Sequence, residues 1–236
     1  MNLTAFEQTQ FDSLCQEESK YFNEFQNVSL PLGGLKREDC YELYRMVGCN
    51  YYNTNHNTNE IQIVDVGCWT GESSLVLALV AQKFNGIVYS VDWFQGSDKT
   101  NLSFAGKYFN IQQIFQDNIK QFEFSKRIKL IKGKSDEVTI KFQDNSLDFV
   151  FLDADHRYKK VLSDIDAWYC KVKPGGIIAG HDCEFLLHDG FKTVFNSYAD
   201  EDMISVLHIG VCQAVAERFP GANHTETGSI WFYKKS

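Results

Sequence analysis

The sequence predicts an α/β protein, a mainly parallel, doubly wound sheet preceded by an N-terminal helical cap. Three observations carry this. From residue 61 onward, short runs of branched apolar residues alternate with segments of helical spacing, the pattern of strands joined by crossover helices. The ends of those runs collect glycine, aspartate and histidine, so polar chemistry gathers at one edge of the sheet, where open α/β sheets bind ligands. Residues 1–60 carry nine acidic and four basic side chains and aromatics at helical spacing, which reads as a cap or lid on the domain formed by residues 61–236.

The organising stretch is IQIVDVGCWTGES, residues 61–73. Ile61, Ile63, Val64 and Val66 read as a strand buried on both faces and residues 73–84 as a helix, so Gly67 and Gly71 fall at the turn between them. Glycine there lets the backbone bend and approach a ligand closely, while the free amides of the following helix favour an anionic group. A dinucleotide fingerprint needs a glycine where Trp69 stands. A Walker loop needs an upstream glycine that Gly133-Lys134-Ser135 lacks.

In chain order, Phe6, Phe11, Leu14, Tyr21, Phe22 and Phe25 suggest short amphipathic helices. The turn at residues 30–34 leads to a helix over 36–47 with Tyr41, Leu43, Tyr44 and Val47 as packing positions, and residues 50–59 read as an exposed loop. Residues 86–92 form a second strand ending in Asp92. A polar loop over 95–101 precedes a helix with Tyr108, Ile111, Ile114, Phe115 and Ile119 on one side. A third strand, 127–132, runs into Gly133-Lys134-Ser135-Asp136, where Ser135 suits a helix cap with Glu137 nearby. The fourth strand runs from Leu147 into Asp153-Ala154-Asp155-His156, and the fifth, from Gly175, into His181-Asp182. Between them Val161, Leu162, Ile165, Trp168 and Tyr169 give a crossover helix, and residues 173–176 the turn back. Residues 209–219 read as a helix and 229–234 as a closing strand; residues 203–209 are open to being an extra strand.

Composition fits one sizeable core: 236 residues, 44% hydrophobic, net charge -8. The acidic balance argues against a nucleic-acid partner, which wants a basic face. Residues 1–19 lack a secretory pattern, and the longest apolar run, 75–81, is too short to span a bilayer. Seven cysteines, odd in number and without CxxC spacing, fit a reduced cytoplasmic chain with no membrane partner. A homo-oligomer is left open.

Asp65-Val66-Gly67-Cys68-Trp69-Thr70-Gly71 resembles the DxGxxxG first motif of class I S-adenosylmethionine-dependent methyltransferases. FLDADHRY and KPGGIIAGHD, in the order that family places them, resemble a bacterial group allied to sugar and antibiotic O-methyltransferases. The resemblance covers residues 61–182 and resumes over 209–219 and 229–234. It implies a Rossmann-like, seven-stranded sheet. It also implies S-adenosylmethionine held at the glycine turn by Asp65, Gly67, Cys68, Trp69, Thr70, Gly71 and Ser73. Asp92 would accept the ribose hydroxyls, Trp93 cover the adenine, Ser135 and Asp136 lie at its edge, and Asp153 border the donor. In metal-dependent relatives, an aspartate at the place of Asp153 and an acidic or amide pair at the places of His181 and Asp182 bind a divalent ion. His181 is a departure: magnesium prefers oxygen, whereas an Asp-His-Asp set also suits manganese, iron or zinc.

The implied reaction moves a methyl group to a hydroxyl of a small acceptor, a sugar or natural product. Asp155, His156 or His181 could take the acceptor's proton, or a metal on Asp153, His181 and Asp182 could lower its pKa instead. Residues 183–208 read as an acceptor-site insertion lined by Phe185, Leu186, Leu187, Phe191, Phe195 and Tyr198. Nucleic-acid base methylation is disfavoured because the Pro-Pro-aromatic loop expected after the fourth strand is absent. The alternatives are an NAD(P)-dependent oxidoreductase, weakened by Trp69, and a non-catalytic S-adenosylmethionine-binding module.

Overall fold

The computed structural model describes residues 29–30, 34–54, 60–185, 198–225 and 228–236. The six amphipathic positions expected before residue 26, and most of the insertion's apolar side chains, lie outside the described residues. Seven strands form one mixed sheet in the order β3-β2-β1-β4-β5-β7-β6. Here β1 is Gln62–Val66, β2 Ile87–Asp92, β3 Ile128–Lys132, β4 Leu147–Leu152, β5 Val172–Gly180, β6 Asn223–His224 and β7 Trp231–Lys234. Strands β1 to β5 pair in parallel, whereas β7 runs antiparallel to β5 and β6 antiparallel to β7. The sheet is Rossmann-like.

Strand alternation divides the core into two layers. Ile63, Phe149, Phe151, Ile177 and Ala179 face helix α1 (Arg37–Thr54) and helix α2 (Glu72–Lys83). Val64, Val66, Val150, Leu152 and Ile178 face α6 (Tyr158–Tyr169) and α7 (Ile209–Arg218). Leu75, Leu77 and Val80 of α2 are fully buried; at about 1.5–3 kcal/mol per such side chain, this packing fixes α2 against the sheet. Leu43, Tyr44 and Val47 of α1 are buried in the same layer, so this helix is part of the core.

Several local expectations differ from the structure. Helix α1 continues to Thr54, through part of the segment expected to loop, because no glycine or proline follows Gly48 to end it. The helix expected to carry Tyr108 and Ile119 on one side is two: α3 (Asn101–Tyr108) and α4 (Ile111–Ile119). Asn110 caps α4 by accepting from the Gln113 amide, and the break leaves Tyr108 61% exposed. Ser135 does not cap: Lys134 is the N-cap of the short helix α5 (Ser135–Val138), and the Ser135 hydroxyl accepts from Trp168 Nε1 at 2.8 Å. Residues 173–176 lie within β5 rather than turning back. The register shifts between Leu147 and Phe149 and Gly175 has φ +82°, so the extra residues bulge. Residues 203–209 form an isolated Ile204–Leu207 bridge instead of a strand.

Candidate functional site

Strand β1 ends in a turn that turns on glycine. Gly67 has φ +88°, and a Cβ there would lie 2.0 Å from the Asp153 carbonyl oxygen; only a residue without one lets the tails of β1 and β4 close together. The turn returns its backbone to β2 through Gly67 N–H to Val91 O, 2.9 Å. Asp92, at the end of β2, locks it: Oδ2 accepts from the Trp69 amide at 2.8 Å and Oδ1 from the Phe94 amide at 2.6 Å. Burial raises the Asp92 pKa, against the lowering effect of those amides. The Trp93 amide also favours the charged carboxylate, which leaves about one of its four lone-pair sites for a ligand.

The sheet's carboxyl edge carries a cleft of about 270 Å³. Of the residues expected to bind cofactor, Gly67, Trp69, Asp92, Trp93, Ser135, Asp136 and Asp153 all line it. Lys134 stands over the Trp93 ring at 5.7 Å. Asp65, Cys68, Thr70, Gly71 and Ser73 are not in the lining. Asp65 is fully buried beneath the start of α2, where Oδ2 accepts from the hydroxyls of Ser73 (2.8 Å) and Ser74, while Oδ1 has no partner. Burial, partly opposed by those hydroxyls, pushes its pKa up to about 7. Cys68 packs against Phe94, Ile111 and Phe115. The Thr70 carbonyl accepts from Asn118 Nδ2 at 2.8 Å, and Gly71 precedes α2 with φ +99°. These five shape the turn from behind.

A cluster of imidazoles and carboxylates adjoins the cleft. Asp182 Oδ2 lies 3.1 Å from His156 Nε2, and its Oδ1 lies 3.0 Å from His181 Nδ1 and 3.5 Å from His208 Nδ1. Asp153 Oδ1 is 3.8 Å from His156 Nε2 and 4.0 Å from His181 Nδ1. Asp153, His156 and His181 also line a hollow of about 10 Å³, so Asp153 is shared by cleft and cluster. Burial opposes charge on the His181 ring, but hydrogen bonds to Asp182 and Asp39 outweigh it and push its pKa up to about 11. Burial likewise opposes the ionised Asp182, yet His156 and His181 hold it far below the usual carboxylate range. Asp155 lines both the cleft and that hollow, with its carboxylate paired to Arg157: Oδ1 accepts from the Arg157 amide at 3.0 Å and from Nε at 2.8 Å, and Oδ2 contacts Nη2.

Four partners of the cluster escaped the sequence reading. Asp39, on α1 and 142 residues distant, approaches His181 Nε2 at 3.3 Å and accepts from the Ser229 amide at 3.0 Å. Asp202 Oδ1 faces His156 Nδ1 at 3.1 Å. Glu184 Oε1 faces His208 Nδ1 at 2.7 Å, and its Oε2 accepts from the His208 amide at 3.0 Å. His208 directly precedes α7, and an imidazole at a helix start beside an acidic insertion was the available signal. For Asp39 no local signal exists.

A doubly wound sheet with this glycine turn, and an aspartate closing the neighbouring strand beside the cleft, defines a class I S-adenosylmethionine-dependent methyltransferase. The chain belongs to the methyltransferase-domain family, whose model matches residues 64–183, just over half of its length. Solved structures share the fold. A Staphylococcus aureus protein provisionally named a caffeoyl-CoA O-methyltransferase is 15% identical, with 94% of this chain and 100% of that one covered and a TM-score of 0.60. The S-adenosylhomocysteine-bound methyltransferase PaMTH1 of Podospora anserina is 11% identical, covering 100% and 98%, at 0.55. CalS11, a TDP-rhamnose 3'-O-methyltransferase of calicheamicin biosynthesis, is 10% identical, covering 99% and 96%, at 0.52. Among the described residues no helix is long and apolar enough to cross a membrane.

Proposed function

We propose that the protein transfers the methyl group of S-adenosylmethionine to a hydroxyl oxygen of a small metabolite, a sugar or natural product. The observation that carries this is Asp153, which borders both the cleft and the imidazole–carboxylate cluster. Donor and proton-handling groups thus meet at one side chain. The solved sugar O-methyltransferase of the same fold supports the acceptor class.

The cleft residues fit the donor. Asp92 accepts a ribose hydroxyl with its remaining lone-pair site, Trp93 covers the adenine with Lys134 beyond it, and Ser135 and Asp136 lie toward the adenine edge. Gly67 keeps the floor low enough for the donor to approach Asp153. Alignment of acceptor oxygen and methyl carbon is the larger part of the rate, on the order of 7 kcal/mol in favourable cases.

Of the three residues expected to take the acceptor's proton, Asp155 is committed to Arg157 and positions that guanidinium at the cleft. The other two, His156 and His181, are held protonated by Asp182, whose oxygens stand 3.1 and 3.0 Å from their ring nitrogens, so either ring takes the acceptor's proton only as it passes its own to that carboxylate. The donor set also fits a divalent cation on Asp153, His181 and Asp182, which would supply Lewis acidity toward the acceptor oxygen. Residues 1–60 act in this scheme as the cap whose helix α1 braces His181. Residues 183–208 form part of the acceptor side, consistent with the approach of Asp202 and His208 to the cluster.

Calorimetry should detect S-adenosylhomocysteine and not NAD. A panel of hydroxylated sugars and phenols incubated with methyl-labelled donor should yield a labelled ether. Binding of NAD alone, or labelled product only on nitrogen or carbon acceptors, would sink the proposal.

A further inference from the structure

We infer that the outer face of α3 is a docking surface for the chain's own N-terminal segment, residues 6–25, whose aromatic side chains seat on Phe104, Tyr108 and Phe109.

Helix α3 is packed the wrong way round for a helix with no partner. A surface helix ordinarily turns its large apolar side chains to the core and its polar ones outward. Here the inward contacts belong to the smallest residues. A Cβ on Gly106 would lie 2.6 Å from the Gln95 carbonyl oxygen, and one on Gly96 would lie 2.3 Å from the Leu102 carbonyl carbon, so α3 and the loop before it meet backbone to backbone. Ala105 packs against the cluster of Phe94 and Phe115. None of the eight residues of α3 is buried, and Phe104, Tyr108 and the adjoining Phe109 are 60–62% exposed. The rings of Phe104 and Tyr108 lie 4.5 Å apart and so form one surface. At about 150–250 Å² per aromatic side chain, the three present roughly 300–450 Å², as much as the largest apolar patch on a typical monomer.

Charge identifies the occupant. Residues 99–114 carry Lys99 and Lys107 and no acid, and Lys107 stands 5.7 Å from the centre of the Tyr108 ring. Residues 1–28 carry five acidic side chains against a single base, Lys20, and six large apolar ones between Phe6 and Phe25. An acidic, aromatic segment thus complements a basic, aromatic face. A second copy on a two-fold axis would set this face against itself, with both lysines unanswered. An anionic lipid surface would have to accept a chain of net charge -8, which repels it.

The tether is in the right place. The Leu35 amide donates to Glu72 Oε2 at 3.0 Å, at the first residue of α2. The preceding Gly71 abuts α4: its Cβ position lies 3.1 Å from both Ile119 and Phe115. From there α4 leads back over nine residues, about 13 Å of helix, to Ile111 and the edge of the patch at Phe109. Phe25 precedes Leu35 by ten residues, which span up to ~33 Å when extended. Seated there, the segment backs the wall that Gly96 and Leu102 give the cleft.

The full chain supplies its own probe, since Cys15 lies within the segment. Tyr108→Cys is oxidised with diamide beside Ile140→Cys, a control on another turn that is 87% exposed, and the linked peptides are identified by mass spectrometry. The expected result is a bond within one chain from Cys15 to the substituted position 108, formed at least tenfold faster than to position 140. Hydrogen exchange on wild type and on the double variant Phe104→Ser/Phe109→Ser reads the same seat without a new thiol. Amides between residues 6 and 25 should exchange at least tenfold faster in the double variant, while those of β1 and β4 keep their wild-type rates. Equal linking at 108 and 140, or equal exchange of the segment in both proteins, overturns the inference. A preferred bond between two chains that fades on dilution assigns the face to a second copy, and capture by anionic vesicles that the double variant loses assigns it to lipid; either result overturns it as well.

Discussion

Gly67→Ala tests how closely the tails of β1 and β4 must approach. The added methyl would sit 2.0 Å from the Asp153 carbonyl oxygen and 2.8 Å from Ala154 Cα, against the roughly 3.5–4.0 Å at which non-bonded heavy atoms attract. Relief requires the β4 tail to move by more than 1 Å, which strains the Asp153 N–H to Val66 O bond, now 2.8 Å. The overpacking costs about 1–3 kcal/mol and the left-handed φ of +88° another 1–2 kcal/mol. Together these amount to roughly 2–5 kcal/mol, and at about 2–4 °C per kcal/mol for a chain of this size the melting temperature should fall by roughly 10 °C. Gly175→Ala is the control: φ is +82° with nothing within 4 Å of its Cβ, so only the backbone term of about 1–2 kcal/mol applies. Because the displaced backbone is the wall of the cleft at Asp153, S-adenosylhomocysteine affinity should drop at least tenfold in Gly67→Ala and hold in Gly175→Ala. Thermal melts and calorimetry on both variants check this. Equal melting temperatures with wild-type affinity in both would refute the close approach.

Three further substitutions follow from the geometry. Asp92→Ala strips the partner from the amides of the turn and from a ribose hydroxyl; at about 1.5–3 kcal/mol per bond to a charged group, S-adenosylhomocysteine affinity should fall at least tenfold, and a smaller loss in calorimetry would count against the ribose assignment. The Asp65 pKa is raised from 3.8 to about 7 on folding, so its contribution to stability is greatest below pH 4, declines as pH rises through that window and is flat above it. Asp65→Asn removes this dependence: relative to wild type it should gain stability between pH 4 and 7, by an amount on the order of a few kcal/mol, and parallel melting profiles from pH 4 to 8 would exclude it. Asp39→Ala leaves His181 Nε2 with Ser229 alone and frees the Ser229 amide; turnover should fall tenfold to a hundredfold with S-adenosylhomocysteine affinity unchanged, since Asp39 does not line the cleft, and a loss of donor affinity instead would make its role structural.

The strand-and-turn framework was legible because it is written in local periodicity. Branched residues at 61, 63, 64 and 66 gave β1, and the acid-ended runs gave β2, β4 and the rim at Asp153 and His181. Glycine was legible at residue 67 because a sharp strand-to-helix turn requires it there. Features set by distant packing were not. Whether residues 173–176 turn or bulge depends on pairing with Lys235, whose carbonyl accepts from the Gly175 amide at 2.7 Å. Ser135 had a plausible local use as a cap, and it is Trp168 on another helix that claims it. The cluster was half-legible: the motifs carry Asp153, His156, His181 and Asp182, but Asp39, Asp202, Glu184 and His208 reach it across the fold. The insertion was read for its apolar side chains, and it is the polar ones among its described residues that approach the cluster.

The direction of the last strand has a further consequence. Since β7 runs against its neighbours, its entrance rather than its exit arrives at the working rim, bringing Ser229 to the Cys183 amide and to Asp39. An early helix and a late strand are thereby stitched to each other through one imidazole. Exchange of either segment between relatives would transplant the posture of His181 along with it, and laboratory shuffling of such enzymes should treat the two as a single cassette.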